Sequence, residues 1–288
     1  MAKFIKILRY ASDLHLELRN TIKHPKLVPL WDFNSKPTDK YYLALLGDIG
    51  NPYQENLKLF LEKVSPKYQK IFYVPGNHEY YNFRVKPNKS KEEFDQKLEE
   101  LCNQFDNIVY MNNKTYDLDG IKIIGSTLWS NVPPDHREYI SRALNDYHLI
   151  KKKSSENDTL ENITIDDTNQ WNANDIMFIE KELNNTNNSC IIMTHHAPLF
   201  SDDSEKKYTA DPIYLNSKNN YAFHNNLEHL LKPPVYAWLY GHTHYASKFK
   251  KNDVIIATNQ LGYASEEYTV KYNPYAYLDL NTIELESL

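Results

Sequence analysis

Cysteine is nearly missing from this chain. Cys102 and Cys190 are the only two in 288 residues, so the sequence offers neither a disulfide framework nor a cysteine-built zinc site, and a reducing compartment fits best. Long apolar runs are missing too. Lys3, Lys6 and Arg9 interrupt the apolar start and spoil a signal-peptide core, and no later stretch approaches the roughly 20 apolar residues that span a bilayer. A basic surplus is also absent: 33 Lys and Arg against 38 Asp and Glu leave a net charge of -5. That argues against a nucleic-acid binder working through a broadly basic surface, though not against a local basic groove. The expectation is a soluble, non-secreted, cytoplasmic protein with no membrane partner. Glycine is scarce at 7 residues; with the abundance of Asn, Lys, Tyr and Ile, this reflects an AT-rich genome rather than a function.

What is present can build a core. Hydrophobic residues are 41% and charged residues 25% of the chain, an ordinary globular balance. A single domain over residues 1–288 is expected at this length. Apolar runs predict strands at Phe4 to Ala11, Tyr41 to Leu46, Ile71 to Val74, Ile121 to Ile124, Cys190 to Met193, Val235 to Tyr240 and Val254 to Ala257. Most are short and continuous, as strands buried on both faces are. Ser90-Lys91-Glu92-Glu93 reads as a capping box ahead of a helix carrying Phe94, Leu98, Leu101, Cys102 and Phe105 on one face. A second helix is expected over Asn174 to Leu183. Asp119-Gly120 predicts a hairpin, so part of the sheet is antiparallel and the class is mixed α/β. Polar stretches at 151–167 and 201–220 read as loop insertions; the first is a solvated loop, and the second, following a loaded motif, is a candidate substrate-facing lid.

Histidines and acids gather just after the predicted strands, where α/β sheets place their sites. Asp13-Leu14-His15 follows the first strand, and Gly47-Asp48 follows the second. Gly76-Asn77-His78-Glu79 follows the third; by chance that run occurs in on the order of one chain in a thousand, so it carries most weight. Thr194-His195-His196-Ala197-Pro198 and Gly241-His242-Thr243-His244 follow two later strands, and H-x-H is a metal-ligand spacing. Singly, Asp48 reads as a helix cap, Asn77 as a turn former and His195 as a core histidine. Five strand ends loaded in chain order defeat those separate explanations. His24, His136, His148, His224 and His229 lack such placement and read as surface or packing residues. Carboxylates, imidazoles and an amide without thiolate suit manganese, iron, zinc or nickel, and there are too many ligands for one ion.

The order D-x-H, G-D, G-N-H-E, H-x(2)-P, G-H-x-H from Asp13 to His244 resembles that of the calcineurin-like metallophosphoesterases. Gly125-Ser126-Thr127-Leu128-Trp129, Leu144-Asn145-Asp146-Tyr147 and Asn259-Gln260-Leu261-Gly262-Tyr263 are similar to segments of a small phosphoesterase subgroup. The resemblance implies a four-layer α/β/β/α sandwich with mixed sheets and two divalent cations, manganese first, with iron or zinc as alternatives. It implies Asp13, His15 and His244 on one ion, Asn77, His195 and His242 on the other, and Asp48 bridging. His195 is preferred to His196 as the first residue out of its strand. His78 matches the family's leaving-group acid, with Glu79 orienting its ring, and His196 and Arg84 are candidate substrate contacts. The implied reaction is phosphate-ester hydrolysis, of a monoester or diester, by a hydroxide bridging the ions. The acid and arginine of the protein phosphatases' G-D-x-x-D-R-G are absent after Asp48, which disfavours a protein substrate. The alternatives are an inactive scaffold on the same fold, which should have lost ligands, and a nuclease, for which Lys151 to Lys153 and Lys248 to Lys251 are the only basic clusters. Nucleic acid is not the favoured partner, and oligomeric state is left open.

Overall fold

The computed structural model describes residues 5–154, 159–266 and 270–286. Thirteen strands lie among these described residues: β1 Lys6–Ala11, β2 Lys40–Leu46, β3 Lys70–Val74, β4 Ile108–Tyr110, β5 Lys114–Leu118, β6 Ile121–Ser126, β7 Lys151–Lys153, β8 Leu160–Asn162, β9 Cys190–Thr194, β10 Val235–Tyr240, β11 Ser247–Lys251, β12 Val254–Thr258 and β13 Tyr277–Asp279. The helices are α1 Glu55–Val64, α2 Lys91–Cys102, α3 Pro134–Ala143, α4 Asp146–Leu149, α5 Ile165–Asn184 and α6 Leu280–Glu286. Phe4, the expected start of the first strand, lies outside the described residues.

One sheet runs β13-β1-β2-β3-β4, with only β13 antiparallel; the other runs β11-β12-β10-β9-β6-β5, with parallel β12, β10, β9 and β6 between antiparallel edges. Successive side chains on a strand face opposite ways, and the sequence uses both faces. In β2, Tyr42, Ala44 and Leu46 meet Ile191 and Met193 of β9 between the sheets, whereas Leu43 and Leu45 pack outward with Leu57, Phe60 and Leu61 of α1 and Phe94 and Leu98 of α2. In β9, Cys190 and Ile192 turn to the other outer layer with Trp238 and Ile179 of α5. Helix, sheet, sheet and helix therefore form the four-layer α/β/β/α sandwich. Each fully buried Leu or Ile contributes roughly 1.5–3 kcal/mol.

Local signals account for the element ends. Ser90 and Glu93 make the expected reciprocal capping box on α2, and Asp119 and Gly120 turn β5 into antiparallel β6 with φ of 54° and 89°. The segment 151–167 is not one solvated loop, which corrects the reading from composition. Its ends form the β7–β8 hairpin, and Thr164 with Asp167 caps α5. That helix begins nine residues before the expected Asn174. Its first half hides its period because it packs through polar groups: Asp175 accepts from the Trp129 amide at 3.1 Å, and Asn172 Nδ2 donates to Asn225 Oδ1 at 2.7 Å. No helix among the described residues is long and apolar enough to cross a membrane.

Candidate metal centre and active site

Parallel β1, β2 and β3 in one sheet and β9 and β10 in the other end at a common edge, where an isolated bridge between Ser12 and Gln260 ties the sheets together. The loops leaving that edge are sharply bent. Asp13, His15, Asp48, His242 and His244 all hold positive φ, between 47° and 73°, a region that non-glycine residues seldom occupy and that clusters at functional sites. These bends lie in three loops, after β1, β2 and β10, and turn them toward Asn77 and His195 on the loops after β3 and β9. Gly76 permits the approach, because a Cβ there would run into the Asp48 carboxylate and the His195 ring.

Asp13, His15 and His244 offer ligand atoms within 4.8 Å of one another, as do Asp48, His195 and His242, and a third such group, His15, Asp48 and His78, joins the two. Asn77 completes the second group, its Oδ1 lying 3.0 Å from His195 Nε2. The tautomers are set from behind. His195 Nδ1 faces the Leu46 carbonyl at 2.8 Å, so it donates and leaves Nε2 bare toward Asn77 and, at 3.3 Å, Asp48 Oδ1. His244 Nδ1 meets Glu266 at 2.6 Å and His15 Nδ1 meets Glu17 at 3.3 Å, which brings their Nε2 atoms within 3.0 Å of each other. Ligands on bonds of about 2.1 Å around one ion stand about that far apart. Asn77 is held likewise: its Nδ2 donates to Asp146 at 2.8 Å and to the Tyr81 hydroxyl at 3.0 Å, turning its oxygen inward. His242 Nε2 is buried without any partner among the described residues. A buried orphan nitrogen among carboxylates, imidazoles and an amide oxygen fits a divalent cation.

The electrostatics are those of a site built for positive charge. Burial, then the Glu79 and Asp13 carboxylates, raise Asp48 well above the usual carboxylate range. Burial alone would raise Asp13, but His244, His195 and His15 bring it down to about 2. Burial opposes protonation of His244, yet its bonds to Asp13 and Glu266 carry it up to about 9. His195 is pushed down to about 4, chiefly by burial, and His242 well below its ordinary value for the same reason and by the neighbouring imidazoles.

His78 is held at both ring nitrogens: Nδ1 lies 3.0 Å from Glu17 Oε1, and Nε2 lies 3.0 Å from the Tyr263 hydroxyl. The carboxylate that orients it is therefore Glu17 and not Glu79. Glu79 turns away and accepts the amides of Asp48, Ile49, Gly50 and Gly76 and the Tyr73 hydroxyl. Arg84 does not reach the site; it is exposed, with its guanidinium over the Phe83 ring at 4.8 Å. His196 is buried beneath the site between the Trp129 and His242 rings, its Nδ1 3.4 Å from the Thr127 carbonyl, so it supports His242 rather than facing a substrate. Glu17, Asp146 and Glu266 carried no assigned role in the sequence, although Asp146 lies in one of its flagged segments and Glu17 extends the alternation of Asp13 and His15.

A cavity of about 600 Å³ opens over these groups, walled by the 210–224 segment, by Ala143 to Asp146 and by Tyr263, Glu266 and Val270. Part of the second expected insertion thus forms one wall. His224 lines the cavity as well, which corrects its reading as a surface or packing residue. The two lysine clusters lie elsewhere: Lys151 to Lys153 form β7, and Lys251 on β11 pairs with Asp202, Glu205 and Glu228.

A family model for calcineurin-like phosphoesterases matches residues 10–246, which enclose every converging residue from Asp13 to His244. The chain belongs to the calcineurin-like phosphoesterases. It is a metal-dependent phosphoester hydrolase. An uncharacterized protein of Acanthamoeba polyphaga mimivirus, L509, is 55% identical over 285 residues, covering 99% of this chain and all of that protein. The phosphopantetheinyl hydrolase PptH of Mycobacterium tuberculosis has a similar fold, with a TM-score of 0.66 and 93% of each chain covered at 15% identity. At that identity the likeness speaks for the fold alone.

Proposed function

We propose that this phosphoesterase holds two divalent cations, one on Asp13, His15 and His244 and the other on Asn77, His195 and His242, with Asp48 shared. The carrying observation is that the three ligand-capable groups overlap through His15 and Asp48 while His242 Nε2 is buried without a partner among the described residues. A donor set of carboxylates, imidazoles and an amide without thiolate suits manganese, iron or zinc, and manganese is the first ion to test. When bound, such a pair supplies a nucleophile at neutral pH and neutralises phosphate oxygens.

The chain's own residues do the rest. Asp48 has both its backbone and its carboxylate tied, the latter accepting from the His78 amide at 2.9 Å, so it is fixed before any substrate enters. His78, with Nδ1 held by Glu17, presents Nε2 to the cavity and protonates the departing ester oxygen. Tyr263 accompanies that nitrogen and steadies the ring. His196, backed by Trp129, and Phe223 pack against His242 and keep its ring in place.

The test is hydrolysis of p-nitrophenyl phosphate and bis-p-nitrophenyl phosphate by metal-stripped protein resupplied with manganese, alongside Asp48→Asn and His78→Ala. Asp48→Asn should lose bound metal and turnover together. His78→Ala should keep its metal and lose about 10²–10⁴-fold in kcat. Unchanged turnover in metal-replete His78→Ala would remove this histidine from the mechanism, and an inert wild type with manganese, iron and zinc alike would favour an inactive scaffold.

A further inference from the structure

The walls above the metal centre carry charge of one sign. Among the described residues lining the cavity, Asp146, Asp211 and Glu266 bring carboxylates, and none is a lysine or an arginine. Asp146 and Glu266 are engaged with Asn77 and His244, whereas Asp211 stands on the opposite wall, capping the turn of Pro212–Tyr214. A second feature of that wall points the same way. His224 donates from Nδ1 to the Asn220 carbonyl at 3.0 Å, so its Nε2 in the neutral ring is a bare acceptor. The residue is only 3% exposed, and that nitrogen has no partner among the described residues. Phe200 stacks on the ring at 5.3 Å and holds its orientation. A buried acceptor beside a cavity calls for a donor, and a hydroxyl, amide or ammonium group of a ligand supplies one. Between these polar groups, Ile213, Tyr214, Phe223 and Val270 give the cavity an apolar lining.

We propose that the substrate is a small phosphate ester whose organic part donates hydrogen bonds, through hydroxyl, amide or ammonium groups, and carries no second negative charge. The proposal rests on the phosphoesterase reading above. A second anionic group would stand among carboxylates with no lysine or arginine among the described lining residues to receive it, and such like-charge placement is how sites reject a wrong partner. Cations at the centre are already set against Asp13, Asp48 and Glu17. A nucleoside polyphosphate or a nucleic-acid backbone, which needs lysine or arginine along its track, finds none here.

Three phosphonates, whose carbon–phosphorus bond resists hydrolysis, separate the outcomes by calorimetry on the metal-replete full chain: 2-aminoethylphosphonate, propylphosphonate and phosphonoacetate. The aminoethyl compound should bind at least about tenfold tighter than phosphonoacetate. Asp211→Asn, which keeps the turn's cap, should narrow that ratio, and His224→Leu should weaken the aminoethyl compound while leaving propylphosphonate alone. Phosphonoacetate binding as tightly as the amine would overturn the proposal, as would a ratio unmoved by both variants, even if p-nitrophenyl phosphate is turned over. If none of the three binds and no ester is hydrolysed, the phosphoesterase reading falls and takes this one with it.

Discussion

Replacing Glu79 with glutamine should cost stability first and catalysis only as a consequence. Its Oε2 accepts from the Asp48 and Gly76 amides at 2.8 and 2.6 Å. Its Oε1 accepts from Ile49, Gly50 and the Tyr73 hydroxyl at 2.7, 3.1 and 2.9 Å. The residue is completely buried. Glutamine keeps one acceptor oxygen; with that oxygen on the three donors of Oε1, its NH₂ faces the amides of Asp48 and Gly76, donor against donor. Two charge-assisted bonds are lost at about 1.5–3 kcal/mol each, so the change costs about 3–6 kcal/mol. Against the 5–15 kcal/mol typical of a folded domain, that is a large fraction. With a urea slope of about 3 kcal/mol/M, the midpoint should fall by about 1–2 M. The measurement belongs in EDTA, where metal binding does not add to stability. A midpoint within about 0.3 M of wild type, together with a fall in kcat, would refute the reasoning and restore Glu79 to the role of orienting His78.

Glu17→Gln keeps the shape but removes the charge behind His15 and His78; kcat should fall about 10–100-fold, and a variant with wild-type kcat and metal content would show that this carboxylate holds neither ring. Gly76→Ala drives a methyl group into the Asp48 carboxylate and the His195 ring, so metal content measured by elemental analysis should drop, and full occupancy would refute the fit. Burial holds His224 down to about 4, so the unfolded chain takes up a proton below about pH 6.5 that the native protein refuses. Its share of stability, at most about 3 kcal/mol, is complete above that pH and lost as pH falls toward 4. In EDTA the urea midpoint should decline over this window and decline less in His224→Gln; parallel declines would refute the assignment.

How much the chain announces of itself follows from burial. Strands covered on both faces, such as β2 and β9, leave continuous apolar runs that stand out in the sequence. Strands β4 and β13 are too short for a run, and β11, Ser-Lys-Phe-Lys-Lys, alternates lysines along an edge as edge strands do to discourage further pairing. The first half of α5 is hidden because Asn172 and Asp175 face inward to the Trp129 backbone and its neighbours. At the site, the residues facing the centre announce themselves because imidazole and carboxylate are rare together at strand ends. Their supports do not. Glu17 and Glu266 are ordinary acids until the fold sets them behind His15, His78 and His244, and Asp146 reaches Asn77 across 69 positions of chain. Glu79 illustrates the limit of adjacency, since being next to His78 in the chain places its carboxylate on the other side of the turn.

The left-handed backbone at Asp13, His15, Asp48, His242 and His244 connects these supports to function. Each such residue costs on the order of 1 kcal/mol, so the three loops that hold them would relax if nothing opposed them. The opposition is visible as bonds between loops rather than within them: the Asp13 amide to the Gly47 carbonyl at 3.0 Å, the His15 amide to the Asp48 carbonyl at 2.9 Å, the Gly241 amide to the His195 carbonyl at 2.9 Å, and the His242 amide to the Asp13 carboxylate at 3.1 Å. Two of these bonds tie the Asp13–His15 loop to the shared Asp48 turn, one ties it to the His242–His244 loop, which serves both groups, and one ties that loop to His195. Strain at one site is therefore offset by contacts with its neighbour, and the two candidate sites are mechanically one object. A change confined to the first group, such as Asp13→Ala, removes the acceptor of the His242 amide as well as a ligand, so it should lower occupancy of both ions. A variant that loses one ion and keeps the other at full occupancy would show that the coupling drawn from these bonds does not operate.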